Sequence, residues 1–355
     1  MPGFFGIGQR GIRMAGTVMT GRVPAGVSEG RVSEEARARI IVADVGGTYA
    51  RLGWTDGVDA DQVHDYRRYA CAENPDLAAI LRDYATGRPC QGAVVAIAGV
   101  LEGDRLINSN LPWAVSVEQT RQGAGLSWVQ LINDFEAVAN AMPVLARDTL
   151  SPLTDVTESS ANSPALVIGP GTGLGAALWM EGHPPRVLAT EVGQAALAAG
   201  NDLEMDVVRR LLGERRHLNN EHVLSGTGLM NLYRCLCELR GGTAVHADAG
   251  ALVAAAESGD GLALETLQVF CGWLGSLVGD LAIIFGAKVV YLAGGVTAHI
   301  PTFLHDGHFL QRYLNKGVMS ERLEQVPVWR VEHGQLGLLG AAAWYQQHRV
   351  ERHVD

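Results

Sequence analysis

Two stretches with one plan constrain this chain more than anything else in it. Ile41-Val-Ala-Asp-Val-Gly-Gly-Thr-Tyr-Ala-Arg-Leu-Gly-Trp-Thr-Asp-Gly57 is an apolar β-branched run that ends on a carboxylate, turns through Gly-Gly-Thr and returns as a second alternating segment. That pattern predicts a β-hairpin with a functional tip. Leu166-Val-Ile-Gly-Pro-Gly-Thr-Gly-Leu-Gly-Ala-Ala-Leu-Trp-Met-Glu-Gly182 lies over it without a gap 125 residues later, matching Val42 to Val167, Gly46 to Gly171, Trp54 to Trp179 and Gly57 to Gly182. Such self-similarity predicts a duplicated hairpin. Glycines followed by a hydroxyl present consecutive backbone N–H groups, a concavity suited to phosphate oxygens. Asp44 beside the first tip would repel bare phosphate. A magnesium ion between them removes the conflict, so the combination points to a Mg-nucleotide.

The rest of the composition narrows the partners. With 355 residues, 47% hydrophobic and 19% charged, the chain is long enough for about two domains with substantial cores. A net charge of −10 argues against a nucleic-acid or anionic-membrane surface, and an anionic ligand must bring its own countercharge. Cys71, Cys90, Cys235, Cys237 and Cys271 contain no Cys-x-x-Cys pair, which predicts free thiols in a reducing cytoplasm. Neither lysine, Lys288 or Lys316, stands in a Gly-x-x-x-x-Gly-Lys-Ser/Thr motif, which excludes a P-loop. Backbone amides and metal must then hold any phosphates.

Along the chain, residues 1–39 lack sustained periodicity and are expected to be a flexible extension, or to follow an upstream start codon, with a presequence as the alternative. Strands are expected over 63–70, 92–99 and 128–134, and a helix to about Tyr84. Asn108-Ser-Asn-Leu-Pro-Trp113 is either a polar ligand contact or a turn. Asn133 and Asp134 end an apolar strand, where ligands gather in open α/β sheets, so Asp134 is a candidate general base; a helix N-cap is the alternative. The Ser/Thr/Asp/Pro-rich 148–164 reads as a linker between domains. Gly171-Thr-Gly173-Leu-Gly-Ala176 also fits the dinucleotide fingerprint, but Gly182-His-Pro-Pro185 ends that segment before the long helix a Rossmann unit requires. Ser225-Gly-Thr-Gly228 opens a helix, by capping or by holding phosphate. The longest helical pattern, 260–285, is expected to be a buried core helix whose Gly272, Gly275, Ser276 and Gly279 admit close neighbours. Lys288 to Gly295 reads as a strand running into a double glycine, and Ala341 to Arg349 as a terminal helix.

Taken in order, Asp44-Val-Gly-Gly-Thr48, Asn133-Asp134-Phe135, Gly169-Pro-Gly-Thr-Gly173, Glu221-His-Val-Leu-Ser-Gly226 and Leu292-Ala-Gly-Gly-Val296 resemble bacterial glucokinase of the hexokinase/actin-like ATPase superfamily, from about Ile40 onward. The zinc-containing sugar kinases and repressors, with their clustered Cys and His, are not resembled. The resemblance implies an α/β protein with two ribonuclease-H-like (actin-like ATPase) domains flanking a cleft: a small domain at 40–147 completed by a C-terminal helix at 335–355, and a large domain at 148–334. It implies Asp134 as the base for the sugar 6-hydroxyl. Asn110, Asn133, Glu191, Gln194 and Glu221 would hold the sugar. Gly46, Gly47 and Thr48, then Gly171, Thr172 and Gly173, would grip the phosphates of ATP, with Gly294 and Gly295 at the adenosine and Asp44 acting on Mg2+ through water. The implied activity is glucose 6-phosphate formation for glycolysis, by a cytoplasmic homodimer with a small-molecule sugar and no nucleic-acid or membrane partner. Two departures bear on specificity: Tyr49 replaces the family Asn, a poor fit if the turn needs left-handed backbone, and Gln194 replaces a sugar-contacting His. An altered hexose preference or a weakly active sugar-binding regulator is the alternative.

Overall fold

The computed structural model of the protein describes residues 39–57, 62–107, 111–159, 161–213, 215–332 and 334–348. The expected N-terminal extension, Asn110 and the end of the chain after His348 lie outside the described residues.

Strand β1 (Arg39–Val45) turns through the glycine tip into antiparallel β2 (Tyr49–Thr55), which pairs with β3 (His64–Ala70). Helix α1 (Leu77–Ala85), capped by the Asp76 side chain, leads to β4 (Cys90–Ile97), parallel to β1. β5 (Val100–Glu102), β6 (Arg105–Ile107) and β7 (Val115–Ser116) make a small separate sheet, and after α2 (Val117–Ala124) strand β8 (Trp128–Asn133) joins parallel to β4. The first sheet therefore runs β3-β2-β1-β4-β8. Side chains alternate across β1 with period two. Ile41, Ala43 and Val45 pack with Leu77, Ile80 and Leu81 of α1, whereas Ile40 and Val42 face the opposite layer.

Helix α3 (Asp134–Ala141) then carries the chain to β9 (Leu150–Pro152), and the first plan is repeated. β10 (Ala165–Pro170), β11 (Leu174–Met180) and β12 (Arg186–Thr190) form an antiparallel meander. Helices α4 (Asp202–Leu212), α5 (Gly226–Leu239), α6 (Ala249–Glu257) and α7 (Gly261–Ile284) precede β13 (Val289–Leu292), which pairs parallel to β10. Short helices α8 (Gly295–His299), α9 (Pro301–Leu304), α10 (His308–Leu314) and α11 (Ser320–Leu323) lead to β14 (Val328–Val331) and the final α12 (Leu336–His348). The second sheet is ordered β12-β11-β10-β13-β14-β9. Each glycine hairpin thus holds the same place in its sheet, an antiparallel meander on one side and parallel strands on the other.

One expectation fails here. Part of 148–164 is sheet rather than linker: β9 pairs antiparallel with β14, Ser151 opposite Arg330, and Leu153 is buried. Its three residues show no periodicity because backbone pairing, not an apolar face, holds them.

Helix α7 is long and apolar enough to cross a membrane, but Leu267, Phe270, Cys271, Leu274 and Val278 are buried in the second sheet's core. Burying each such large side chain contributes about 1.5–3 kcal/mol. Its glycines admit α10 as the spacing predicts: a Cβ on Gly275 would run into the Phe309 carbonyl, and one on Gly279 would lie 2.6 Å from the Tyr313 carbonyl oxygen.

The two sheets meet through α3 and α12. Leu338, Ala341, Ala342 and Trp344 of α12 cover Ile40, Val42, Val94 and Ala96 of the first sheet, with Ala137 of α3 in the same cluster. Ala139, Ala141 and Met142 pack with Val167, Ala177 and Ala293 of the second. The residues that begin α3 are therefore fixed from both sides.

Candidate active site

Asp44 and Asn133 stand at the carboxyl ends of β1 and β8, the side of a parallel arrangement where ligands collect. Asn133 caps α3, its Oδ1 accepting from the Phe135 N–H at 2.9 Å and the Glu136 N–H at 3.2 Å. The cap is therefore Asn133, and Asp134, the first helical residue, is left to another task. Its Oδ1 accepts from the Phe135 N–H at 2.9 Å. Burial nevertheless raises the Asp134 pKa above the ordinary carboxylate value, against that hydrogen bond, and the charges of Asp44 and Glu191 push it further up. A carboxylate held this way is poised to take a proton.

Asn133 and Asp134, adjacent in the chain, line two different cavities. One, of about 610 Å³, is lined by Asp44, Asp134, Gly294, Gly295, Arg330 and Gly337, among others. The other, of about 390 Å³, is lined by Asn133, Glu136, Thr190 and Glu191, with Leu101 and Leu106 of the small sheet. In the first, Arg51 Nη1 lies 3.1 Å from Asp44 Oδ2, and burial raises the Asp44 pKa despite that cation. Gly337, at the start of α12, lets the helix close over Asp44: a Cβ there would lie 2.7 Å from the Asp44 Cγ. Asp44, a desolvated carboxylate facing this cavity, is a fitting oxygen donor for Mg2+, which takes one or two carboxylates and completes its shell with water and phosphate.

The glycine turns are built differently from each other. In the first, the Gly46 N–H donates to the Tyr49 carbonyl at 3.0 Å, and Gly47 and Thr48 are exposed. Tyr49 is not left-handed. It opens β2 as extended chain, with the Arg68 guanidinium 4.5 Å from its ring centroid, so this departure from the family pattern strains nothing. In the second, the Gly171 N–H donates to the Gly173 carbonyl at 2.8 Å, and the Gly171 carbonyl accepts from the Gly226 N–H at 2.8 Å, leaving Thr172 exposed at the tip. Ser225 caps α5, its Oγ accepting from the Gly228 N–H at 2.9 Å. Gly294 has φ +116°, and a Cβ there would lie 2.6 Å from the Pro170 carbonyl oxygen, so only glycine fits. The dinucleotide-fingerprint alternative falls with this geometry, because β11 follows the glycines as an antiparallel strand, not as a helix.

The remaining candidates cluster around the second hairpin. Glu221 Oε2 accepts from the Leu174 N–H at 2.8 Å and lies 2.5 Å from where a Gly173 Cβ would be. Gln194 follows Glu191 on a short 3-10 turn, and its Oε1 accepts from Asn219 Nδ2 at 2.7 Å. The structure thus brings Asp44, Asp134, Gly294 and Gly295 to one cavity and Asn133 and Glu191 to the next, while the tips at Gly46–Thr48 and Gly171–Gly173 do not line either. Sequence reasoning missed Arg51, Arg330 and Glu136. Hairpin register alone would have found Arg51, the cross-strand partner of Asp44. Glu136 sits three residues past the cap, and Arg330 carries no local signal at all.

The glucokinase family model matches residues 41–348. A glucokinase-like protein of Xylella fastidiosa (strain 9a5c) is 45% identical over 314 residues, covering 86% of this chain and 94% of that relative. A glucokinase of Saccharophagus degradans is 36% identical, covering 86% and 98%. Among solved structures, a glucokinase from an Antarctic psychrotroph superposes with TM-score 0.76 at 33% identity, covering 86% of this chain and 98% of that one. A ROK-family glucokinase from Streptomyces griseus, solved with glucose and AMPPNP, shares the fold with TM-score 0.62 at 19% identity, covering 86% and 99%. On a family match that spans both glycine hairpins and both cavities, the chain belongs to the glucokinase family.

Proposed function

We propose that the protein transfers the γ-phosphoryl group of ATP to the 6-hydroxyl of glucose, in the cytoplasm, supplying glycolysis. Membership of the glucokinase family supports a sugar kinase that uses ATP. The observation that carries the assignment is that Asp134 lines the cavity of Asp44 and Gly294 with its carboxyl desolvated, while Asn133, next to it in the chain, lines a second cavity with Glu191. A base placed there reaches an alcohol bound on one side and directs it at a phosphoryl group bound on the other.

The residue roles follow from that layout. Asp134, raised by burial, accepts the proton of the sugar hydroxyl as its oxygen attacks. Asn133, Glu191, Gln194 and Glu221 hold the other hydroxyls, and Asn110 belongs with them by the family pattern. The tips at Gly46, Gly47 and Thr48 and at Gly171, Thr172 and Gly173 offer N–H groups to the phosphates, while Gly294 and Gly295 admit the adenosine. Mg2+ bound at Asp44 through water would neutralise charge on the phosphate oxygens. We read the two sheets as two ribonuclease-H-like domains, 40–147 with α12 and 148–334, that close on the cleft when sugar binds, so water gains little access to the phosphoryl group. A homodimer is the assembly we assign.

A different hexose preference is the second reading, favoured by one contact: with its Oε1 engaged by Asn219, Gln194 offers a sugar its Nε2 donor. A panel of hexoses in a coupled ADP-release assay tests both. Glucose-dependent ADP formation that disappears in Asp134→Ala is expected. Sugar binding without any ADP release at high enzyme would overturn the assignment in favour of a regulator.

A further inference from the structure

Outside the proposed cleft, a cavity of about 300 Å³ between α4 and α5 is lined by Arg210, Arg215, Arg234, His222, Asn231 and Glu238, among others. A concentration of guanidinium groups is unexpected in a chain of net charge −10. Arg210 is spoken for, with its Nη2 2.6 Å from Glu238 Oε2. Arg215 and Arg234 have no carboxylate partner among the described residues, and the Asn231 Nδ2 fixes the cavity wall by donating to the His222 carbonyl at 3.2 Å. Two guanidinium groups without a carboxylate partner among the described residues, lining one cavity with an imidazole, match a dianion, and Arg forks suit phosphate geometry; a monocarboxylate would leave one cation unmatched.

We infer that this cavity binds a small phosphate dianion, either inorganic phosphate or the phosphate of a monoester, and that its occupancy is read by the sugar site through His222, Asn219 and Gln194. The connection is a continuous chain of hydrogen bonds. His222 Nδ1 and its backbone N–H, the latter at 3.0 Å, both donate to Asn219 Oδ1. Asn219 Nδ2 in turn donates to Gln194 Oε1 at 2.7 Å. An anion that accepts from the His222 Nε2–H, with the ring protonated so that Nδ1 still donates to Asn219, fixes the Asn219 amide and with it the Nε2 donor that Gln194 turns toward the sugar. Coupling of this kind is reciprocal, so sugar tightens anion binding by the same factor as anion tightens sugar.

The anion site stands on the cavity itself, whereas its coupling to sugar rests on the assignment of Gln194 to the sugar site. Calorimetric titration of the full chain with inorganic phosphate, and separately with a hexose 6-phosphate, distinguishes the two sources. Saturable binding is expected, weakened about tenfold or more in Arg215→Ala and in Arg234→Ala and falling with added salt. Both side chains are exposed, so neither variant threatens the fold. Phosphate is further expected to lower the KM for sugar severalfold without changing kcat in the wild type, and to leave KM unchanged in Asn219→Ala. No saturable binding of either anion, or equal binding by the wild type and the Arg215→Ala/Arg234→Ala double variant, overturns the site. An undiminished KM effect in Asn219→Ala overturns the relay. The titration needs no turnover, so an inactive protein that still binds phosphate would count against the kinase assignment and for the site.

Discussion

Asp134 is destabilising where it stands. Its pKa in the folded protein is raised, so folding favours the protonated acid; its contribution to stability is fully present below the unfolded-state carboxylate value and is lost as pH rises through the folded one. Asp134→Asn is therefore expected to raise Tm at neutral pH and to leave it nearly unchanged in acid, as calorimetric scans across pH would show; a lower Tm at neutral pH would contradict the burial argument. As the proposed base, Asp134 would also set the acid limb of activity. The base must be ionised, so kcat/KM is expected to fall with acid at a pH above the ordinary Asp value of 3.8, and a pH profile that stays flat down to that value would exclude Asp134 as the titrating group. The pairing of Asn133 and Asp134 was legible in the sequence as a strand end. Which of them caps the helix was not, because both side chains can cap and only the three-dimensional start of α3 assigns Asn133 to the Phe135 and Glu136 amides. Arg330 reaches the cavity of Asp44 and Asp134 by the parallel pairing of β13 with β14, a long-range event no local pattern announces.

At the scale of elements, the crossing of α12 over α3 holds the site. A Cβ on Gly340 would run into the Ala137 carbonyl, and one on Gly175 into the Phe135 ring, so the helix that starts with Asp134 is met by α12 at its backbone and by β11 at the Phe135 side chain. Gly340→Ala is expected to destabilise by about 1–3 kcal/mol, since backbone, unlike a side chain, cannot step aside. Urea unfolding of that variant checks it, and an unchanged midpoint would mean the crossing is looser than described. The hairpins and α7 were readable because each combines a clear period with a cap or a turn. β9 was not: Leu150-Ser-Pro152 resembles its polar surroundings and becomes a strand by pairing with β14.

Across the whole molecule, one topology is used twice, and the duplication visible between Ile41 and Leu166 is the trace of it. The family match begins at residue 41, and β1 begins at Arg39, where the guanidinium lies 4.5 Å from the Trp54 ring centroid. Removing residues 1–36 is accordingly expected to leave kcat and KM for sugar within about twofold of the full chain, and a large loss in the coupled assay would assign those residues a part in the site. Asp134 is proposed to join two bound substrates, and single-turnover transfer of labelled γ-phosphate from ATP to glucose tests this most directly. The wild type is expected to form glucose 6-phosphate, and Asp134→Asn to do so about 10²–10⁴-fold more slowly while still binding glucose. Transfer at the wild-type rate by Asp134→Asn would contradict it.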